Sequence, residues 1–92
     1  MIEILNFRPA DPNDKSLIGR FDIKIPAWNG MIIRNMAYLR KDKARWVSFP
    51  THKLYTNNEP KYAADIEFDE LEEFRQILRQ IREALDIYLL NS

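Results

Sequence analysis

The dipeptide Asn29-Gly30 lies between two apolar-rich segments and constrains this chain more than any other feature. Both residues tolerate positive φ, so the pair favours a tight hairpin turn. Residues 17–25 (LIGRFDIKI) alternate, with Leu17, Phe21, Ile23 and Ile25 on one side and Arg20, Asp22 and Lys24 on the other, the period of a half-buried strand. Residues 31–39 (MIIRNMAYL) supply the return strand. The charged turn of residues 40–44 leads to residues 45–49 (RWVSF), a further strand ended by Pro50. Upstream, residues 2–8 (IEILNFR) read as a short strand, set off by the turn formers of residues 9–14. Downstream, residues 50–60 read as a loop, and residues 61–68 as one more strand with Tyr62, Ala64, Ile66 and Phe68 on one face.

The remainder carries a helical period. Leu71, Phe74, Leu78, Ile81, Leu85 and Tyr88 recur at steps of three and four. Asp69 with Glu72 has the spacing of a capping box, and Glu70, Glu72 and Glu73 suit the helix dipole. The expected fold is therefore α+β in one domain of 92 residues. An antiparallel, curved sheet of four to five strands occupies residues 1–68, and one long C-terminal helix follows over residues 69–90. The end of that helix, with Leu85, Tyr88, Leu89 and Leu90, is more apolar than a solvated helix end, which predicts a homodimer interface there.

Composition narrows the chemistry. The chain has no cysteine and one histidine, which excludes thiolate chemistry and a His-based metal cluster. Its two glycines, Gly19 and Gly30, form no phosphate-cradling loop, and Ser16 and Ser48 sit in no nucleophile elbow. Asp65, Glu67 and Asp69 share one spacing, but a solvated strand edge running into a helix start explains them better than a metal site. His52 sits in a polar stretch with no evident catalytic partner. No catalytic residue, metal, cofactor or small-molecule substrate is expected. No apolar run is long enough to span a membrane, and the N-terminus lacks a signal pattern. The expected location is the cytoplasm, or the nucleoid if the source is a bacterium or phage.

Charge is where the sequence speaks of function. Formal net charge is zero, but residues 1–54 hold ten Lys/Arg against five Asp/Glu, and residues 55–92 hold four against nine. Binding follows such local imbalance, not the total. On strict alternation, the sheet face away from the helix would carry Arg20 and Lys24, then Ile32, Arg34, Met36, Tyr38 and Arg40, then Trp46 and Ser48. The turn residues Lys41, Lys43 and Arg45 would lie at its edge. Cations that follow phosphates and aromatics that stack on bases are what single-stranded nucleic acid requires. Trp28 is a weaker stacking candidate. The same residues could instead form a dimer interface or cross-strand pairs, and a register shift of one would bury Trp46. The competing reading is a protein–protein adaptor that uses the apolar helix end.

The Asn-Gly turn, then Ile33-Arg34-Asn35, then Trp46-Val47-Ser48-Phe49-Pro50-Thr51 followed by His52-Lys53, resembles the septation-regulator (SpoVG) family over residues 1 to about 68. The plan of basic strands before an acidic helix is also similar to the positive-cofactor-four and Whirly group. Both resemblances imply small dimers that bind nucleic acid, the second with a preference for single-stranded DNA, contacts on the sheet face and dimerisation through C-terminal helices. The septation regulators use basic residues near the final helix. That region is acidic here, so no binding residue is carried over from it. The function expected is a non-enzymatic, dimeric, sequence-nonspecific single-stranded-DNA-binding protein serving replication, recombination or transcription, or else a septation-regulator-like DNA- or RNA-binding regulator.

Overall fold

A computed structural model of the protein describes residues 1–56 and 59–91, with side chains described for residues 1–52 and 65–91. The strands are β1 (Glu3–Pro9), β2 (Leu17–Ile25), β3 (Met31–Lys41), β4 (Ala44–Ser48), β5 (Thr51–Thr56) and β6 (Glu59–Ala64), and the helix α1 (Leu71–Leu90) closes the chain. The first four form one antiparallel sheet in the order β1-β2-β3-β4, and β5 pairs with β6 in a separate two-stranded sheet. The fold is α+β, with one helix after the sheet.

The turn signals act as expected. Pro26–Trp28 form a single 3-10 turn, then Asn29 (φ 58°) and Gly30 (φ 75°) take left-handed conformations and the chain reverses into β3. Asp42 (φ 56°) does the same between β3 and β4. Two elements differ from the sequence expectation. The stretch read as a loop over residues 50–60 contains β5, and the strand expected over residues 61–68 ends at Ala64. Ladder hydrogen bonds from a neighbouring segment decide a strand, and β5 and β6 supply them to each other. The expected side-chain face of Tyr62 and Ala64 lies outside the described residues.

The helix buries Ile77, Ile81 and Leu85, four residues apart, against the sheet. Phe74, Leu78, Ala84 and Leu89 pack around that stripe. Leu71, expected in the stripe, is 60% exposed. Glu70 is the N-cap and makes no side-chain cap bond, so the expected capping box of Asp69 and Glu72 does not form. The helix entry is held by aromatic rings. Phe68 lies 5.5 Å from Phe49 and 5.6 Å from Phe74, and Trp28 reaches Phe68 at 6.3 Å. Such tilted contacts add specific attraction to plain burial. The sheet contributes Phe21, Ile23, Ile25, Ile33, Met36, Tyr38 and Val47 to the same core.

Gly19 is required by space. A Cβ there would sit 2.6 Å from Cζ of Phe7 and 2.9 Å from the carbonyl oxygen of Arg8. The ring could shift, but the backbone oxygen of the paired strand could not do so cheaply. Gly19→Ala should lower unfolding stability by about 1–3 kcal/mol, read as a lower urea midpoint with an unchanged slope.

Candidate nucleic-acid interface

Strand pairing sorts the side chains of the sheet into cross-strand rows. On the side away from the core, Lys41 stands opposite Ala44, and Trp46 opposite Leu39, which is opposite Leu17. The next row holds Ser48, Ala37, Arg20 and Arg8. Asp22 and Leu5 follow, then Ile32, Lys24 and Glu3. Rows on one face repeat every two residues, about 7 Å along the strands. A row with an exposed Trp46, at 41%, thus lies between a lysine and a pair of arginines.

Three register shifts interrupt the sheet: the one between Leu17 and Gly19 turns Leu17, expected beside Phe21, to the open side opposite Leu39, and the other two shape the centre of this face. Between Phe21–Met36 and Ile23–Ile33, the single residue Asp22 faces both Arg34 and Asn35. On the other flank, the register of β1 shifts between Leu5 and Arg8. Asn35 (φ 63°) and Asn6 (φ 52°) take the left-handed conformation at these two points, which asparagine tolerates better than most residues. Bulges re-aim side chains. Here the one at Asn35 changes the phase of β3, so that Ile33 before it and Met36 and Tyr38 after it all face the helix.

Between the bulges, Asp22 is 3% exposed. Its Oδ1 accepts from the Asn35 backbone amide at 3.1 Å and from Arg8 Nη2 at 3.2 Å, and its Oδ2 accepts from Asn6 Nδ2 at 3.3 Å and Arg34 Nη1 at 3.4 Å. Burial pushes its carboxyl up, but the Asn35 amide, the Arg8 guanidinium and the Asn6 amide outweigh that and hold it below its ordinary value. Arg8 also donates to the carbonyl of Asn6 (2.8 Å) and to Asn35 Oδ1 (3.1 Å), and Arg20 donates to the carbonyl of Asn35 (3.4 Å). Three guanidiniums therefore gather around one carboxylate, and the cluster keeps an excess of positive charge.

The structure brings Arg20, Lys24, Arg34 and Trp46 together on the open face, with Lys41 beyond Trp46 and Lys43 in the adjoining turn. It does not bring Tyr38 there, nor Met36, which is fully buried in the core. Tyr38 is 3% exposed, in the core, with the Arg82 guanidinium 5.5 Å from its ring centre. The Asn35 bulge is the cause, because it reverses the alternation that would have exposed it. Arg40 and Arg45 stand opposite each other in the phase of Tyr38 and Val47, on the helix side. Arg40 donates to the carbonyls of Asp14 (2.9 Å) and Lys15 (3.4 Å), fastening the loop before β2, and the Arg45 carbonyl accepts from Arg82. Trp28 leans on Phe68 at the helix entry. At the helix end, Leu85 is fully buried within its own chain, so it is core and not interface. Leu89 packs against the core rim, and Tyr88 touches Phe7, at 6.4 Å between ring centres. Leu90 and Ile87 are 84% and 62% exposed.

Sequence reasoning missed Arg8, Asn6 and Asn35 as parts of this face, and placed Asp22 on it without a role. The signal was present. Arg34-Asn35 puts two polar residues in a row inside an alternating strand, with an asparagine second, which marks a bulge. Asn6-Phe7-Arg8 is its weaker counterpart.

Elsewhere, His52 Nδ1 hydrogen-bonds Asp65 Oδ1, and the Asp65 amide donates to the Pro50 carbonyl at 3.0 Å. Among the described residues, no group of three or more His, Asp or Glu could hold a metal ion, and no helix is long and apolar enough to cross a membrane. No protein-family model, curated protein or solved structure matches the chain.

Asp22→Asn should cost about 1–3 kcal/mol of unfolding stability at neutral pH, through weakened charge-assisted bonds and unneutralised arginines. The folded-state value of Asp22 is lowered. Its contribution is therefore present above the ordinary carboxylate value of about 3.9 and is lost as pH falls through the lowered one. Urea titrations from pH 7 downward should show the wild-type advantage over Asp22→Asn shrinking below about pH 4.

Proposed function

We propose that the open face of the four-stranded sheet binds single-stranded nucleic acid, DNA in the first place, without chemistry and with little sequence preference. One observation carries this reading. The exposed Trp46 stands in a row flanked on one side by Lys41 and on the other by Arg20 and Arg8, with Arg34 and Lys24 in the rows beyond. Cationic rows on either side of an aromatic suit a chain that alternates phosphate and base. Stacking on Trp46 accepts any base, and the guanidiniums meet phosphate oxygens in forked geometry. A duplex is served less well, because the helix exposes more acid (Glu72, Glu73, Glu83, Asp86) than base (Arg75, Arg79) and so offers the major groove no net basic surface. The resemblance to sheet-face DNA-binding proteins of the positive-cofactor-four and Whirly group points the same way, and replication, recombination or transcription is the setting this chemistry would serve.

Dimerisation belongs to the same proposal, in a reduced form. With Leu85 in the core and Leu89 on its rim, the surface left for a second copy is centred on Ile87, Tyr88 and Leu90, which are 62%, 37% and 84% exposed. An adaptor role would use the same residues. Leu90→Asp should convert a dimer to a monomer in sedimentation velocity without lowering the thermal midpoint of the monomer fold, because Leu90 is exposed. A chain that is monomeric at every concentration removes the dimer.

The direct test is fluorescence anisotropy of a labelled single strand of about 20–30 nucleotides, at low and high salt, beside a duplex of the same sequence. Affinity should fall steeply with salt and favour the single strand. Trp46→Ala should cost about 1–3 kcal/mol of binding. Arg34→Glu should weaken binding about tenfold or more while leaving the fold intact, because Arg34 is largely exposed. Absence of binding at low salt, or equal affinity in both variants, overturns the reading and leaves the face as a protein-binding surface.

A further inference from the structure

An acid at the centre of a phosphate-binding face is at first sight a liability. By charge count alone, Asp22 repels the ligand. Its geometry says otherwise. It is 3% exposed, yet four groups converge on it from the two flanking strands, β1 and β3. We infer that Asp22 is a positioning residue for phosphate contact, holding Arg8 and Arg34 so that the donors left over face outward in one arrangement. This inference rests on the function proposed above and adds a division of labour within that site.

The division follows from counting donors. An arginine has five N–H groups. Arg8 engages in three bonds, to the Asn6 carbonyl, Asp22 Oδ1 and Asn35 Oδ1. It is a strut across both bulges, and its side chain is 45% exposed. Arg34 engages in one, to Asp22 Oδ2, and its side chain is 69% exposed. Arg20 engages in one, to the Asn35 carbonyl. Among the described residues, Arg34 and Arg20 therefore keep most of their donors for an incoming phosphate. Their long side chains have also been ordered by the protein before binding, so less freedom is lost when the ligand arrives. Asn35 completes the device, because its left-handed backbone turns its amide onto Asp22 while its side chain accepts from Arg8.

Charge counting and positioning predict opposite signs for one substitution. Asp22→Asn removes a negative charge from the face. If only charge matters, the single strand binds tighter. If Asp22 positions the arginines, it binds about five- to tenfold weaker, the scale of one hydrogen bond lost, with the active fraction unchanged by stoichiometric titration. Should Asp22→Asn fail to fold, Asn35→Gly decides. Glycine adopts the left-handed backbone freely, so the bulge survives and no charge changes, but Arg8 loses an acceptor. Binding about threefold weaker or more at an unchanged salt slope supports the inference, and unchanged affinity overturns it. The two proposals fail separately. Wild-type protein that does not bind the single strand removes the interface itself. Wild-type protein that binds, beside Asp22→Asn that binds as tightly or tighter, leaves the interface and removes the role of Asp22.

Discussion

The bulge at Asn35 is the constraint from which the rest of the sheet follows. A strand in perfect alternation cannot send Ile33, Met36 and Tyr38 to one side. One residue in a left-handed conformation lets it do so. The bulge leaves a backbone amide outside the regular ladder, and such a group is costly to bury without a partner. Asp22 is that partner, at 3.1 Å. The carboxylate then has to be compensated in turn, and Arg8, Arg34 and Asn6 do so from the two flanking strands. Backbone irregularity and the charged cluster are therefore a single object.

The phase that the bulge imposes also sets how the helix docks. Tyr38 and Val47 become a platform on the core side, and Ile77, Ile81 and Leu85 bury against that side. Arg82 lies over Tyr38 and donates to the carbonyl of Arg45 on edge strand β4, while Asp86 steadies it at 3.1 Å. An exposed sheet edge invites pairing with other chains, and this arginine occupies part of it. On the opposite edge, β1 carries a bulge and ends in Pro9, which also discourages pairing. With both edges discouraged, the broad face that the helix leaves uncovered is the part of the sheet left open to a partner.

The sequence made the element order legible wherever a local signal decided it. Asn29-Gly30 placed the β2–β3 turn, residues 40–44 placed the next, and the three- and four-residue apolar steps placed the helix. It misled where a tertiary partner decided. β5 exists because β6 supplies its ladder, and residues 66–68 are not a strand because, among the described residues, no neighbour supplies them a ladder. The open face was half legible. Arg20, Lys24, Arg34 and Trp46 lie on it as alternation predicts, since β2 from Gly19 onward, β3 before Asn35 and β4 keep their alternation. Tyr38 was misplaced because strict alternation was carried through Asn35, and Arg40 with it. Leu85 was assigned to an interface from its apolarity alone, although its four-residue spacing from Ile81 places it in the core. Polar residues at positions 34 and 35, inside an otherwise alternating strand, were the one local hint of the phase change.

That same hint explains why net charge is a poor guide to this surface. The chain is neutral as a whole, and a count over the open face would subtract Asp22 from its arginines. Burial changes the arithmetic. On the function proposed above, a carboxylate held ionised beneath the surface would act on a bound strand mainly through the side chains it orders, and the exposed guanidiniums would act on it directly. An acid of this kind strengthens a cationic face by making it rigid, at the cost of one unit of charge. The three arginines around Asp22 leave an excess of two positive charges after that subtraction, so on the proposed reading the face would gain a defined arrangement of donors without losing its attraction for phosphate.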